Sequence, residues 1–364
     1  PWDKIIKALE ERQVPAYLTN MVEGYFQDRV LVVGKDQTEI RLSRGVPQGS
    51  VLGPLLWNVF YDGVLRLKMA RETETIAYAD DLALIVTAKD AGRLVESSNE
   101  SVGKVIGWMN KQGLELAGEK TGIVVIAGRK KLKSVEIKVG GHMVHSMEAI
   151  KYLGVWIDKD LRMVQHVKKV TKKADRTIKA LAKIMPNEDI PSSGKRRILV
   201  GVVHSILTYA APAWADVIRI RKYKMLLERC QRKALLRMAS AYCTVSNEAL
   251  SVITDTPPID LLLTTRMNVY RSRGKRKSEE YLRLTEIWQK RWQNAIVGAW
   301  TKRLIPTVQD RLEHLARESH TPQEPRTWRL VRNVFPPPPG KKGQFRSGRV
   351  SSGPKIWKRA RNKQ

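Results

Sequence analysis

Cysteine is nearly absent from this 364-residue chain, Cys230 and Cys243 being its only two. A disulfide-stapled scaffold is thereby excluded, and a reducing intracellular compartment is the default expectation. Histidine is scarce as well, with six residues, so a four-ligand zinc site would have to gather its ligands from distant segments. His142 and His145 are close together, but they lie beside Gly140-Gly141, which reads as a hairpin turn. No apolar run is long enough to span a bilayer. Acid is also in short supply, with 36 Asp+Glu against 66 Lys+Arg and a formal charge of +30. That much positive charge repels itself unless a polyanion neutralises it, so nucleic acid is the first partner expected. An anionic membrane competes less well, because the basic residues are spread over the whole chain. The chain opens at Pro1 with no targeting segment before it. It runs at once into a helical pattern, as expected of a fragment or a processed product.

What is present is enough apolar residue, 42% of the chain, to bury a core in two domains or in one domain with a long appendage. Helices are expected at 3–12, with Asp3 as N-cap, at 15–26, at 55–69 and at 91–112. Strands are expected at 30–34 and 38–42, joined by a turn at 35–37, and again at 123–126, 135–139 and 152–157. Between the second strand and the third helix lies Ser43-Arg44-Gly45-Val46-Pro47-Gln48-Gly49-Ser50-Val51-Leu52-Gly53-Pro54, whose glycines and prolines make a shaped loop. From Leu161 an apolar stripe of Leu161, Val164, Val167, Ala174, Ile178, Leu181 and Ile184 faces a basic set of Lys168, Lys169, Lys172, Lys173, Arg176, Lys179 and Lys183. Helical pieces are expected from 190 to about 317. A basic tail after Pro336-Pro337-Pro338-Pro339-Gly340 has the composition of a disordered arm.

Residues 75–86 read as strand, tight turn, strand, with Asp80 and Asp81 where the chain reverses. Taken alone, an Asp-Asp pair there is a solvated turn, since turns favour Asp for local hydrogen bonds. The functional reading is a divalent-metal site, in which a rigid hairpin presents carboxylates to a hard cation that cancels their repulsion. The order of features weighs for the second reading. Gly45-Val46-Pro47-Gln48-Gly49-Ser50-Val51-Leu52-Gly53-Pro54, one helix, then Tyr78-Ala79-Asp80-Asp81 resembles the template–nucleotide loop and catalytic hairpin of reverse transcriptases.

Further segments resemble that family. Gly113-Leu114-Glu115-Leu116 through Lys120-Thr121 is similar to its next palm segment, and 150–158 to its primer-grip hairpin. Pro54-Leu55-Leu56-Trp57-Asn58, Cys230-Gln231-Arg232-Lys233-Ala234-Leu235-Leu236-Arg237 and Trp288-Gln289-Lys290-Arg291-Trp292 look like the non-LTR elements of arthropod ribosomal DNA. The resemblance covers roughly 1–320. It implies Asp80 and Asp81 as ligands of two Mg²⁺ ions, with Mn²⁺ as an alternative, and Lys120 as proton donor. It places Arg44, Gly45, Pro47, Gln48, Gly49 and Tyr78 at the template and nucleotide, and Tyr152, Leu153 and Gly154 at the primer. Without the family, Lys120 reads as a solvated lysine, Tyr78 as a core aromatic and 152–157 as a buried strand.

The implied fold is α+β: a right-hand polymerase palm with an antiparallel sheet, a helical thumb and a C-terminal helical extension, most of the fingers missing. The expected divisions are palm 1–158, thumb 159–190, helical nucleic-acid-binding region 191–320 and tail 321–364. Implied partners are RNA template, DNA primer or target DNA, and deoxynucleoside triphosphates, with no membrane. Implied location is the nucleus, at the site of integration. The family's further aspartate is expected on a strand just upstream of Pro1, so this stretch alone is expected to be inactive. Full polyproteins of the group also carry an endonuclease and a Cys/His motif; no endonuclease chemistry is read in these residues. Two other readings stand beside the polymerase: a non-catalytic nucleic-acid-binding remnant, to which the basic stretch at 161–185 is suited, and an intron-maturase-like enzyme, whose splicing domain is not recognised here.

Overall fold

The structure is a computed structural model, and it describes residues 1–46, 49–126, 134–184 and 193–308. The expected Pro47 and Gln48, the far end of the thumb at 185–190 and the tail at 321–364 lie outside the described residues. All of the described residues belong to one unit, Pro1–Asp310.

The first 158 residues alternate helices and hairpins. In chain order they are α1 Trp2–Glu10, α2 Ala16–Phe26, β1 Val30–Val33, β2 Thr38–Arg41, α3 Gly53–Leu65, β3 Thr73–Tyr78, β4 Asp81–Val86 and α4 Ala91–Lys111. After α4 come β5 Glu136–Val139, β6 His142–His145, β7 Ala149–Tyr152 and β8 Val155–Asp158. The strands pair as antiparallel hairpins: β1 with β2, β3 with β4, β5 with β6 and β7 with β8. The sheet expected of a palm is thus seen, among the described residues, as separate two-stranded ladders. Gly140 takes φ +62° at the β5–β6 turn, as Gly140-Gly141 led one to expect. His145 Nδ1 lies 3.1 Å from Glu136 across that ladder.

Three local expectations are corrected. Residues 123–126 form no strand: Ile123 makes one parallel bridge to Ser146, and its carbonyl accepts from Met147 N–H at 2.7 Å. Helix α1 begins at Trp2, so Asp3 lies inside the first turn, where its charge meets the helix dipole without capping. Residues 152–157 are not one strand but the turn and inner arms of the β7–β8 hairpin.

The rest is helical: α5 Val164–Ile184, α6 Ser193–Leu207, α7 Ala211–Trp214, α8 Arg221–Ala239, α9 Asn247–Ile253, α10 Ile259–Arg271, α11 Lys277–Gln293 and α12 Ala299–Leu304. Helix α5 starts where it does because Asp158, 6% exposed, accepts four backbone N–H groups, those of Arg162, Met163, Val164 and Gln165. Those donors would otherwise have no intrahelical acceptor. Val167, Val170, Ala174 and Ile178 then face the core, with Val164 and Leu181 at its edge. Leu161 departs from the expected stripe, lying before the helix and half exposed.

The largest core joins α5, α6, α7, α8 and α10, and Val155 of β8 is part of it. A smaller core packs Trp288 and Trp292 of α11 against α9 and Val308. Trp292 Nε1 donates to the Ile305 carbonyl, and Gln289 Oε1 accepts from Val308 N–H. Arg291 makes two bonds of 3.0 Å to the buried carboxylate of Asp260. The Trp-Gln-Lys-Arg-Trp segment is therefore framework, and so is Gln231, which accepts from Ile259 N–H and donates to the Pro257 carbonyl. No single described helix is long and apolar enough to cross a membrane.

Candidate active site

The β3–β4 hairpin reverses through Ala79 and Asp80, with Tyr78 paired to Asp81. A two-residue turn needs positive φ at one or both central positions, and here Ala79 carries it, at φ +54°. A left-handed alanine costs about 1 kcal/mol, so something outside the turn must hold it. That group is Trp57 of α3, whose indole N–H donates to the Ala79 carbonyl at 2.9 Å. One helical turn on, Tyr61 stacks on Trp57 with ring centres 5.0 Å apart. Trp108 of α4 packs edge-on against Tyr61, and Gly63 gives it room: a methyl there would lie 2.8 Å from its ring. An aromatic block thus backs the turn from below, while Asp80 and Asp81 are exposed above it.

Neither carboxylate forms an ion pair or hydrogen bond with a described residue. Two phenols lie within their electrostatic reach. Burial, and then the charges of Asp80 and Asp81, push the Tyr61 hydroxyl above its ordinary range. Burial and then Asp81 do the same to Tyr152, at the end of β7. Both hydroxyls are buried without a hydrogen-bond partner. The Asp81 charge is thus felt at Tyr152, in the hairpin expected to hold a primer. The donor set fits a divalent cation as far as it goes, since exposed, unpaired carboxylates are the hard-oxygen ligands such ions take. Among the described residues no group of three His, Cys, Asp or Glu side chains is arranged to hold a metal.

The other expected residues fall as follows. Tyr78 is 67% exposed, so it is not the core aromatic of its bland reading. Arg44 is exposed, and Gly45 and Gly49 both take left-handed φ, +85° and +90°. The Gly45 carbonyl accepts from Trp2 Nε1 at 2.7 Å, and Trp2 stacks on Phe26, which anchors the loop to α1 and α2. Lys120 ends a single 3-10 turn, exposed, with no bond to Asp80 or Asp81. Leu153 and Gly154 are the two central residues of the β7–β8 turn, both at positive φ. Reading the sequence missed Trp57 and Tyr61. Their one signal was spacing, two aromatics four apart on the helix between the two motifs, and that spacing reads first as core.

The family model described as reverse transcriptase (RNA-dependent DNA polymerase) matches residues 1–157. The chain is 27% identical over 311 residues to the putative 115 kDa protein in type-1 retrotransposable element R1DM of Drosophila melanogaster, covering 79% of this chain and 30% of that protein. It is 26% identical over 294 residues to a retrovirus-related Pol polyprotein from a type-1 retrotransposable element R1 of Nasonia vitripennis, covering 72% and 71%. It is 25% identical over 241 residues to the RNA-directed DNA polymerase from mobile element jockey of Drosophila melanogaster, covering 64% and 26%. The chain thus spans less than a third of the Drosophila R1DM protein, and no solved structure matches it. Residues 1–157 thus match the reverse transcriptase family model, and the chain is similar over most of its length to the Pol polyproteins of type-1 retrotransposable elements.

Proposed function

We propose that the chain serves RNA-templated addition of deoxynucleotides to a DNA 3′ end, with Asp80 and Asp81 as its metal-holding carboxylates. The observation that carries this reading is the exposed, unpaired Asp80-Asp81 pair on a turn held by Trp57, inside the segment that matches the family. Two divalent cations, Mg²⁺ by the hardness of the donors, would activate the primer hydroxyl and stabilise the departing pyrophosphate in line. The chain's own residues do the rest. Trp57 and Tyr61 keep the carboxylates in place. The loop 44–49 lays glycine backbone against template and nucleotide, since glycine admits close approach. Tyr152, Leu153 and Gly154 hold the primer terminus, and Lys120 gives a proton once nucleotide is bound.

In this reading 1–158 is the palm, 159–190 the thumb and 191–320 a helical nucleic-acid-binding extension. The basic residues of α5 are exposed and opposite its core face, which suits Lys side chains that track phosphates regardless of sequence. A third carboxylate, from a further segment of the Pol polyprotein, completes the metal site, and the element copies its RNA from nicked target DNA in the nucleus. Any endonuclease belongs to the parent polyprotein. The test is Mn²⁺ binding, read by water-proton relaxation, in the wild type and in Asp80→Asn and Asp81→Asn. The reading expects each variant to lose about tenfold or more in affinity; unchanged binding would remove these residues from the metal site.

A further inference from the structure

The β7–β8 turn is built in a way its own sequence does not favour. Tyr152 pairs with Val155, and the two residues between them, Leu153 and Gly154, both take positive φ, +43° and +83°. Such turns favour Asn-Gly; a leucine in the first place is strained. The compensation comes from outside the hairpin. Tyr209, in the link between α6 and α7, donates its hydroxyl to the Leu153 carbonyl at 3.0 Å. Its ring presses on Gly154 so closely that a methyl there would lie 2.8 Å from Cε1. Tyr209 is in turn fixed by Trp214, which is 2% exposed and donates its indole N–H to the Tyr209 carbonyl at 2.7 Å. The Trp214 ring lies 4.9 Å from that of His166, and His166 Nδ1 accepts from Trp156 N–H at 3.2 Å, just past the turn. The hairpin is therefore fastened at the turn and at β8 by residues beyond 157, where the family match ends.

We propose that Tyr209 is a positioning residue for the primer-holding turn, so that the helical region sets the placement of the primer end. This rests on the reading of 152–154 as the segment that holds the primer. Tyr209 itself is 42% exposed, so removing its hydroxyl leaves the core intact. Loss of one such hydrogen bond is worth about fivefold in an equilibrium.

The experiment compares the dissociation constants of an RNA–DNA hybrid with a recessed DNA 3′ end and of a blunt hybrid of equal length. The proteins are the wild-type chain, Tyr209→Phe, Gly154→Ala and Tyr152→Ala, each checked by thermal melting. The expected result is a wild-type preference for the recessed end that falls about fivefold in Tyr209→Phe, with blunt binding and melting temperature unchanged. Gly154→Ala, which breaks the same contact from the other side, is expected to lose the preference as well. If Tyr152→Ala loses the preference while Tyr209→Phe keeps it, the positioning role of Tyr209 is overturned and the primer reading stands. If the wild type has no preference, or Tyr152→Ala retains it, the primer reading fails and takes this inference with it.

Discussion

At the scale of single residues, the site depends on one strained alanine and the tryptophan that holds it. Replacing Ala79 with glycine removes the cost of a left-handed Cβ and should raise stability by roughly 0.5–1 kcal/mol in a urea titration. Trp57→Phe keeps the stacking surface but loses the donor to the Ala79 carbonyl. Primer extension by the active polyprotein should then fall about five- to tenfold, with little change in KM for nucleotide, because the carboxylates lose their placement. An unaltered rate in Trp57→Phe would remove the indole from the account. The acidic turn itself was legible in the sequence, because two β-prone arms left Asp80 and Asp81 nowhere else to sit. Trp57 was not, since an aromatic at helical spacing looks the same whether it fills a core or bonds a turn. Tyr209 was less legible still, lying 56 residues from the carbonyl it serves.

At the scale of elements, periodicity located the helices and most of the hairpins, and it failed where partners decide. Val124, Val125 and Ile126 have strand-forming side chains, yet among the described residues only Ile123 is bridged to another segment. Without a ladder, β propensity alone does not make a strand. Residues 152–157 read as one strand because the sequence pattern does not show that Leu153 will take positive φ. Helix α5 shows the opposite case, a start set by a residue that sequence reading left inside the primer-grip segment. Asp158→Ala would leave four backbone donors at the head of α5 without their acceptor. The expected loss is about 2 kcal/mol by chemical denaturation, with Asp158→Asn recovering part of it. A change below about 0.5 kcal/mol would mean that water caps the helix as well as the carboxylate does.

At the scale of the whole molecule, acid stability turns on two enclosed imidazoles. Burial pushes His166 down to about 4, and burial together with the Arg266 charge does the same to His204. In the unfolded chain each takes a proton near pH 6.5, whereas in the folded chain each resists until about pH 4. The unfolded state therefore binds more protons in between. The stability this contributes is fully present above pH 6.5, is lost as pH falls towards 4, and is on the order of 3 kcal/mol or more. Melting temperature should be flat above pH 6.5 and fall steadily below it; a flat profile down to pH 4.5 would contradict the enclosed placement of these rings. The charge of +30 was legible from composition and directs attention to nucleic acid, but composition did not show how the charge is arranged. The structure puts the Lys and Arg side chains of α5 on its exposed side, opposite Val167, Ala174 and Ile178.

The central claim is that Asp80 and Asp81 carry templated DNA synthesis, and its most direct test is primer extension on an RNA template in Mg²⁺. The chain is expressed with whatever coding sequence precedes Pro1 in its reading frame, beside Asp80→Ala and Asp81→Ala. The account predicts template-dependent extension that falls at least a thousandfold in either variant, while hybrid binding and melting temperature stay as they were. Extension that survives both substitutions, or none at all from a folded wild-type protein that binds the hybrid, would contradict it. The second outcome would leave a nucleic-acid-binding remnant as the better reading.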